Sequence, residues 1–304
     1  MASEKIEILP VSLLDENRLT VESLKQLASS LGLEFGWHYL LDLSWILREL
    51  GQIKGKFIMD AGAGTGMLQW YLAVQGAEVL SVDRGSRENL PLRFRRRFNV
   101  VGLRQADQDS RPPDLLPAGK LFVENLTGLS KPGQFKPKKA LRQAWEFFDG
   151  LGARRAPGRV LIYNQDLKTL TDVLDNSLDA VVSVSALEHN SPEALPAVVA
   201  ELMRVLKPGG VLLATLCAAR DQDWFHQPSV GWCYTDQSLQ QLFDLPPATP
   251  SNYAQYDELL EGLRNCAELR DNLAGFYASS GENGMPWGKW EPQYQPVGIC
   301  KIKP

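Results

Sequence analysis

Histidine, cysteine and methionine are scarce in this 304-residue chain, at 3, 4 and 5 copies. The cysteines (Cys217, Cys233, Cys266 and Cys300) are far apart and form no Cys-x-x-Cys pair, so free thiols in a reducing cytoplasm are expected. No apolar run approaches the length of a membrane span. The opening Met1-Ala2-Ser3-Glu4-Lys5 lacks the basic-then-apolar form of a signal peptide. With a net charge of -4 the chain as a whole is not a nucleic-acid binder by bulk electrostatics. Internal repeats and low-complexity tracts are missing too. What remains is a cytoplasmic globular protein of one large domain or two small ones, with its oligomeric state open.

One stretch organises the rest: Lys56-Phe57-Ile58-Met59-Asp60-Ala61-Gly62-Ala63-Gly64-Thr65-Gly66, then Met67-Leu68-Gln69-Trp70-Tyr71-Leu72. An apolar run of strand length meets an acid, a glycine-rich turn and a helical pattern. The glycines let the backbone turn tightly and approach a ligand. The helix behind them offers free N–H groups and a positive dipole end. A dinucleotide fingerprint needs Gly or Ala where Met67 stands, and a P-loop needs Gly-Lys-Ser/Thr where the chain has Gly66-Met67. The pattern that fits is D-x-G-x-G-T-G.

Residues 77–83 read as a second buried strand ending in Asp83, 17 residues past Gly66. An acid there grips a ribose diol in nucleotide-binding α/β folds, because its oxygens accept from two hydroxyls. The plainer alternative is a helix N-cap. Residues 159–163 read as the next strand, followed by Asn164-Gln165-Asp166-Leu167, with 100–107 and its terminal Asp107 as a rival. The run 174–185 gives an acidic-polar turn and a buried strand. Ser191 as N-cap and Pro192 at the first helical position predict a helix to about Leu206, stopped at Lys207-Pro208-Gly209-Gly210. Further strands are expected over 211–216 and 296–302. Ahead of the motif, Leu24, Leu27 and Leu31 share one helical face, and a second helix covers 36–50.

Charge is unevenly spread. Residues 84–159 hold 17 Lys/Arg against 7 Asp/Glu, a net of +10, leaving 15 against 29 elsewhere, a net of -14. Such a block is a solvated face or a surface for an anionic acceptor or partner.

The glycine motif, with Asp83 and the strand at 174–185 following in order, resembles the class I S-adenosylmethionine-dependent methyltransferases. Glu188-His189, a helix, Pro208-Gly209-Gly210 and an apolar strand are similar to the small-molecule, type 11-like branch of that family. The likeness spans about residues 56–217, interrupted by the basic block. It implies an α/β fold, a Rossmann-like seven-stranded mostly parallel sheet with helices on both faces. It also implies an N-terminal helical cap over 1–50, and a main domain over 51–304 with inserted lobes at about 99–157 and 246–295. The implied cofactor is S-adenosyl-L-methionine, with no metal. Asp60 would bond its amino-acid portion, Ala61, Gly62, Ala63, Gly64 and Gly66 would underlie it, and Asp83 would hold the ribose. Asp166, or Asp107 in its place, would hold the adenine, with Arg84, Leu167 and Ser185 alongside.

A hydroxyl acceptor benefits from a general base, and the chain has only His38, His189 and His226 to offer. His189, just past the fourth strand of the motif series, is the candidate, with Glu188 or a nearby carbonyl fixing its ring. Ser185-Ala186-Leu187-Glu188 replaces the Asn/Asp-Pro-Pro-Tyr/Phe of amino-group methylases, and no Pro-Cys pair of a cytosine-C5 methylase is near. Glu188 and Asn190 make a poor metal set. The function expected is methylation of a small-molecule or saccharide acceptor on oxygen, the acceptor being anionic if the basic block faces it. Docking of RNA or protein through that block, and a non-catalytic cofactor-binding module, stay open. Trp224, Trp232, Trp287, Trp290 and the cluster Trp37-His38-Tyr39 are candidates for acceptor-pocket lining or for core packing.

Overall fold

The structure is a computed structural model, described for residues 3–87, 90–108, 155–278 and 285–304. Apolar runs bounded by turn residues become the central strands: β2 (Phe57–Ala61), β3 (Glu78–Asp83), β5 (Arg159–Asn164) and β6 (Leu178–Val184). Near-continuous apolarity is what parallel strands covered on both faces require. Adding β1 (Lys5–Ile8), β4 (Asn99–Gly102), β7 (Leu206–Ala218) and β10 (Gln295–Ile302), the sheet order is β1-β10-β7-β6-β2-β3-β5-β4. Pairing is parallel from β7 to β4, while β10 runs antiparallel to β7 and β1 antiparallel to β10.

The period-2 geometry of a strand divides its side chains between two cores. Ile58, Val79 and Val160 enter one; Met59, Leu80 and Leu161 enter the other. The first core is closed by α2 (Arg18–Leu31), α3 (Tyr39–Leu50) and α4 (Leu68–Val74), through Leu24, Leu40, Trp45 and Trp70. The second is closed by α6 (Leu195–Val205) through Val198 and Leu202. Remaining helices are α1 (Leu13–Glu16), α5 (Leu92–Arg97), α7 (Asp236–Leu242), α8 (Tyr256–Arg264) and α9 (Ala267–Asp271). α2 ends at Gly32, whose φ of 57° suits a left-handed cap; its N–H bonds the carbonyls of Ala28 and Ser29.

The sheet differs from the seven strands expected, with ten among the described residues. β1 was hidden because its alternation, with Ile6 and Ile8 buried, lasts only 4 residues before the helical pattern begins. The rival strand exists as β4, but at the sheet edge beyond β5. A hairpin of β8 (Trp224–His226) and β9 (Gly231–Tyr234) joins the carboxyl end of β7. Ser191 does not cap a helix at Pro192: its carbonyl accepts the N–H groups of Ala194 and Leu195 in a preceding turn, and α6 starts at Leu195 with a proline in its first turn. β7 begins at Leu206 instead of 211, because Leu206 pairs with Leu178 ahead of a bulge.

α3 lies against β10 at a point with no spare room. A Cβ on Gly298 would stand 2.5 Å from the ring of Trp45, which is fully buried and has nowhere to shift. Gly298→Ala is therefore expected to cost about 1–3 kcal/mol through overpacking. Thermal unfolding checks this; an unchanged melting temperature contradicts it.

Candidate active site

The carboxyl ends of the neighbouring strands β6, β2, β3 and β5 meet along one edge of the sheet. In open α/β sheets that edge is where ligands bind. A cleft of about 470 Å³ opens there, lined by Asp60, Gly62, Ala63, Gly64, Gly66, Asp83, Arg84, Asp166, Leu167 and Ser185. These come from four separate stretches of sequence, and all were expected at the cofactor. Ala61 was expected with them but is fully buried at the end of β2, where its carbonyl accepts the Ser183 hydroxyl at 2.8 Å. It supports the turn from below.

The glycine turn is held from several sides. Gly62 has φ 78°, and a Cβ on it would stand 2.4 Å from Cβ of Ala186. Gly64, at φ 48°, donates its N–H to Asp83 Oδ2 at 2.8 Å. Gly85 donates to Asp83 Oδ1 at 2.7 Å, so each oxygen of this cleft-lining carboxylate carries one backbone bond and retains a lone pair. Below the turn, the fully buried Gln69 of α4 donates Nε2 to the Ala63, Gly64 and Gly66 carbonyls at 3.3, 3.3 and 3.1 Å. Its Oε1 accepts the Ser81 hydroxyl at 2.7 Å. Arg87 is also buried; it donates to the Ser81 and Tyr163 carbonyls at 2.9 Å each, and to the Ser81 hydroxyl. Sequence reasoning missed Gln69 and Arg87. The available signal for Gln69 was one amide inside the apolar run 67–74.

Asp60 is 3% exposed, and burial raises its carboxyl to about 7, against the opposing pull of Arg87. The unfolded chain loses this proton near its ordinary value of 3.8, whereas the folded one keeps it to about 7. Folding therefore loses stability as pH rises across that window, by up to about 4 kcal/mol. Asp60→Asn removes the penalty. Relative to the wild type, its melting temperature should rise between pH 5 and pH 8, measured by paired thermal melts; a constant gap contradicts this.

The rival acids separate cleanly. Asp166 lines the cleft, its Oδ1 accepting the Lys168 N–H at 2.9 Å. Asp107 is buried away from the cleft, bonded to Arg104 Nε at 2.8 Å and accepting the Asn164 N–H at 3.0 Å; Arg104 holds its carboxyl below the ordinary range against the cost of burial. Asp107 thus fastens β4 to β5.

A second cavity of about 350 Å³ adjoins the cleft and shares Tyr39, Ser185 and His189 with it. His189 is exposed, with Nδ1 2.9 Å from the Val230 carbonyl. A ring nitrogen facing a carbonyl carries the proton, so Nε2 of the neutral ring is the free acceptor. The fixing group is thus this carbonyl and not Glu188, whose Oε1 instead accepts the Ser185 hydroxyl at 2.5 Å. Val230 has φ 53°, an uncommon conformation for a β-branched residue, and it holds the carbonyl in place. His38 is buried in the wall of the second cavity with Nδ1 2.6 Å from Oδ2 of the fully buried Asp42, a pair whose acid sequence reasoning did not single out. His226 lines neither space; it is buried against the Ser229 hydroxyl at 2.7 Å, and burial lowers its basicity. Of the aromatics proposed as lining, Trp37 and Tyr39 do line the cavity, joined by Phe276, Tyr277 and Tyr294. Trp224 packs on His226, Trp232 on Phe225 and Trp290 on Trp37, while Trp287 is exposed. Most of the basic block, residues 109–154, lies outside the described residues, so the docking surface expected there does too.

Residues 138–214 match the family described as "Methyltransferase domain", a span that holds β5, β6, α6 and most of β7. About a quarter of the chain is thus similar to a methyltransferase domain. The glycine turn and Asp83 lie N-terminal to the matched span and complete the same site in space. The sequence matches no curated protein. Among solved structures it is similar to the (4+2)-cyclase SpnF (15% identity, 99% of each chain covered, TM-score 0.48). It is also similar to the 1,6-didemethyltoxoflavin-N1-methyltransferase of Burkholderia thailandensis (14% identity, 96% of this chain and 88% of that one, TM-score 0.43). A third is the magnesium protoporphyrin IX methyltransferase of Synechocystis (14%, 76% and 70%, TM-score 0.35). At such values these likenesses carry no argument about the reaction.

The cofactor that the glycine-motif resemblance implies is S-adenosylmethionine. The cleft residues fit it. Gly62 and Gly64 bring bare backbone to the cleft wall, the Asp83 oxygens can accept from hydroxyls, and the Asp60 carboxyl can accept from an ammonium. Among the described residues, no helix is long and apolar enough to cross a membrane.

Proposed function

We propose that this methyltransferase acts on a small-molecule acceptor seated in the second cavity and methylates it on oxygen, with His189 taking the proton. The observation carrying this reading is the junction of two spaces at Tyr39, Ser185 and His189. Asp83 holds the ribose hydroxyls, Asp60 the amino-acid portion and Asp166 the adenine, while the turn from Ala61 to Gly66, with Arg84, Leu167 and Ser185, shapes the walls.

When bound, S-adenosylmethionine supplies an electrophilic methyl on a sulfonium whose departure as a neutral thioether needs no acid. With cofactor and acceptor in place, Nε2 of His189 would take the proton of the acceptor hydroxyl as that oxygen gained the methyl, and would pass it to solvent. The chain's contribution is alignment, with the cleft fixing one partner and the aromatic cavity the other. Incubation with methyl-labelled cofactor and a metabolite extract tests the reading. A labelled small-molecule methyl ether is the expected product; label found only on RNA or protein overturns it.

A further inference from the structure

The walls of the second cavity are aromatic and acidic. Trp37, Tyr39, Tyr277 and Tyr294 face it together with Glu34 and Glu188, and its described lining includes no Lys or Arg. Glu188 is 2% exposed. Its Oε1 accepts from Ser185, but its Oε2 is sealed from solvent with no hydrogen-bond partner among the described residues. A buried carboxyl oxygen left unpaired is costly and needs a reason.

We propose that this cavity seats a protonated amine of the acceptor, anchored on Glu188 and walled by the aromatic rings, with the reacting hydroxyl directed to His189. The proposal rests on the reading of this cavity as the acceptor site. It reverses the expectation of an anionic acceptor, which drew on residues that lie largely outside the described ones. Aromatic faces attract cations, most strongly where water is excluded. Glu34, exposed at the cavity and accepting the Gly275 N–H at 3.2 Å, adds negative potential to the approach.

Burial raises the Glu188 carboxyl, against the opposing pull of His189, Ser185 and His38. The other groups that face it, Cys217, Tyr39, Tyr234 and Tyr294, are themselves pushed up by burial and stay neutral. An arriving ammonium favours the ionised acid and so opposes this rise.

Calorimetry on the full chain saturated with S-adenosylhomocysteine tests this, using three probes on one frame: tyramine, uncharged 4-ethylphenol and anionic 3-(4-hydroxyphenyl)propionate. Affinity for S-adenosylhomocysteine is measured first and reports separately on the cofactor site. Tyramine should bind at least about tenfold tighter than 4-ethylphenol, with the carboxylate weakest. Glu188→Gln should abolish the preference while leaving the affinity for S-adenosylhomocysteine in place. Tyramine binding no tighter than 4-ethylphenol, a carboxylate that binds as well, or a preference that survives Glu188→Gln would each overturn the proposal.

Discussion

Asp83→Ala is expected to weaken binding of S-adenosylhomocysteine by about 10²-fold or more. Two effects combine. The carboxylate stands at the end of β3 in the cleft with lone pairs available to the ribose hydroxyls, and hydrogen bonds to a charged group contribute about 1.5–3 kcal/mol each. The same carboxylate also ties Gly64 and Gly85 to the strand at 2.8 and 2.7 Å, so its loss frees the turn on which the ligand rests. Asp83 is not fully buried, so water can take over the freed N–H groups and the melting temperature should move little. Asp83→Asn keeps one acceptor oxygen and should fall between the two. Titration calorimetry decides the matter; an affinity for Asp83→Ala within about threefold of wild type would remove Asp83 from the site.

His189→Ala is expected to lower kcat by roughly 10²-fold, the lower part of the usual range for a general base, with cofactor affinity unchanged. The ring is already oriented for proton transfer, since Nδ1 is committed to the Val230 carbonyl and Nε2 is left as the acceptor at the junction of the two cavities. The variant should also lose the acidic limb of the pH–rate profile, because that limb reports protonation of the base. Measurement on the labelled acceptor separates this from a packing role. A packing mutant would keep the limb and lose thermal stability or cofactor affinity instead. That second pattern would direct attention to His38, whose bond to buried Asp42 gives it the same oriented-imidazole geometry.

Much of the cleft's lining was legible because it is written in short, local chemistry. The glycine spacing after Asp60, the acid ending the β3 run and the acid after β5 are each read from a few adjacent residues, and parallel strands bring them to one edge. The choice between Asp107 and Asp166 was less legible, since both follow apolar runs; which strand lies beside β3 depends on long-range pairing. The supports beneath the turn, Gln69 and Arg87, lie hidden in sequence because a buried polar residue is recognisable only once its partners are in place. The second cavity was least legible. Trp37 and Tyr39 precede β2, whereas Tyr277 and Tyr294 lie beyond β9, and only the packing of α3 on β10 and its neighbours brings them together. Of the two readings open for Trp224, Trp232, Trp287 and Trp290, packing holds for the first, second and fourth, and ring content alone could not tell because it does not show which face a loop presents.

The central claim is that the cleft at the carboxyl ends of β6, β2, β3 and β5 is an S-adenosylmethionine site. The most direct measurement is titration calorimetry of the purified chain with S-adenosylhomocysteine and, separately, with NAD. The account predicts one S-adenosylhomocysteine bound per chain in the micromolar range and no heat from NAD. Micromolar NAD binding with no response to S-adenosylhomocysteine would contradict it.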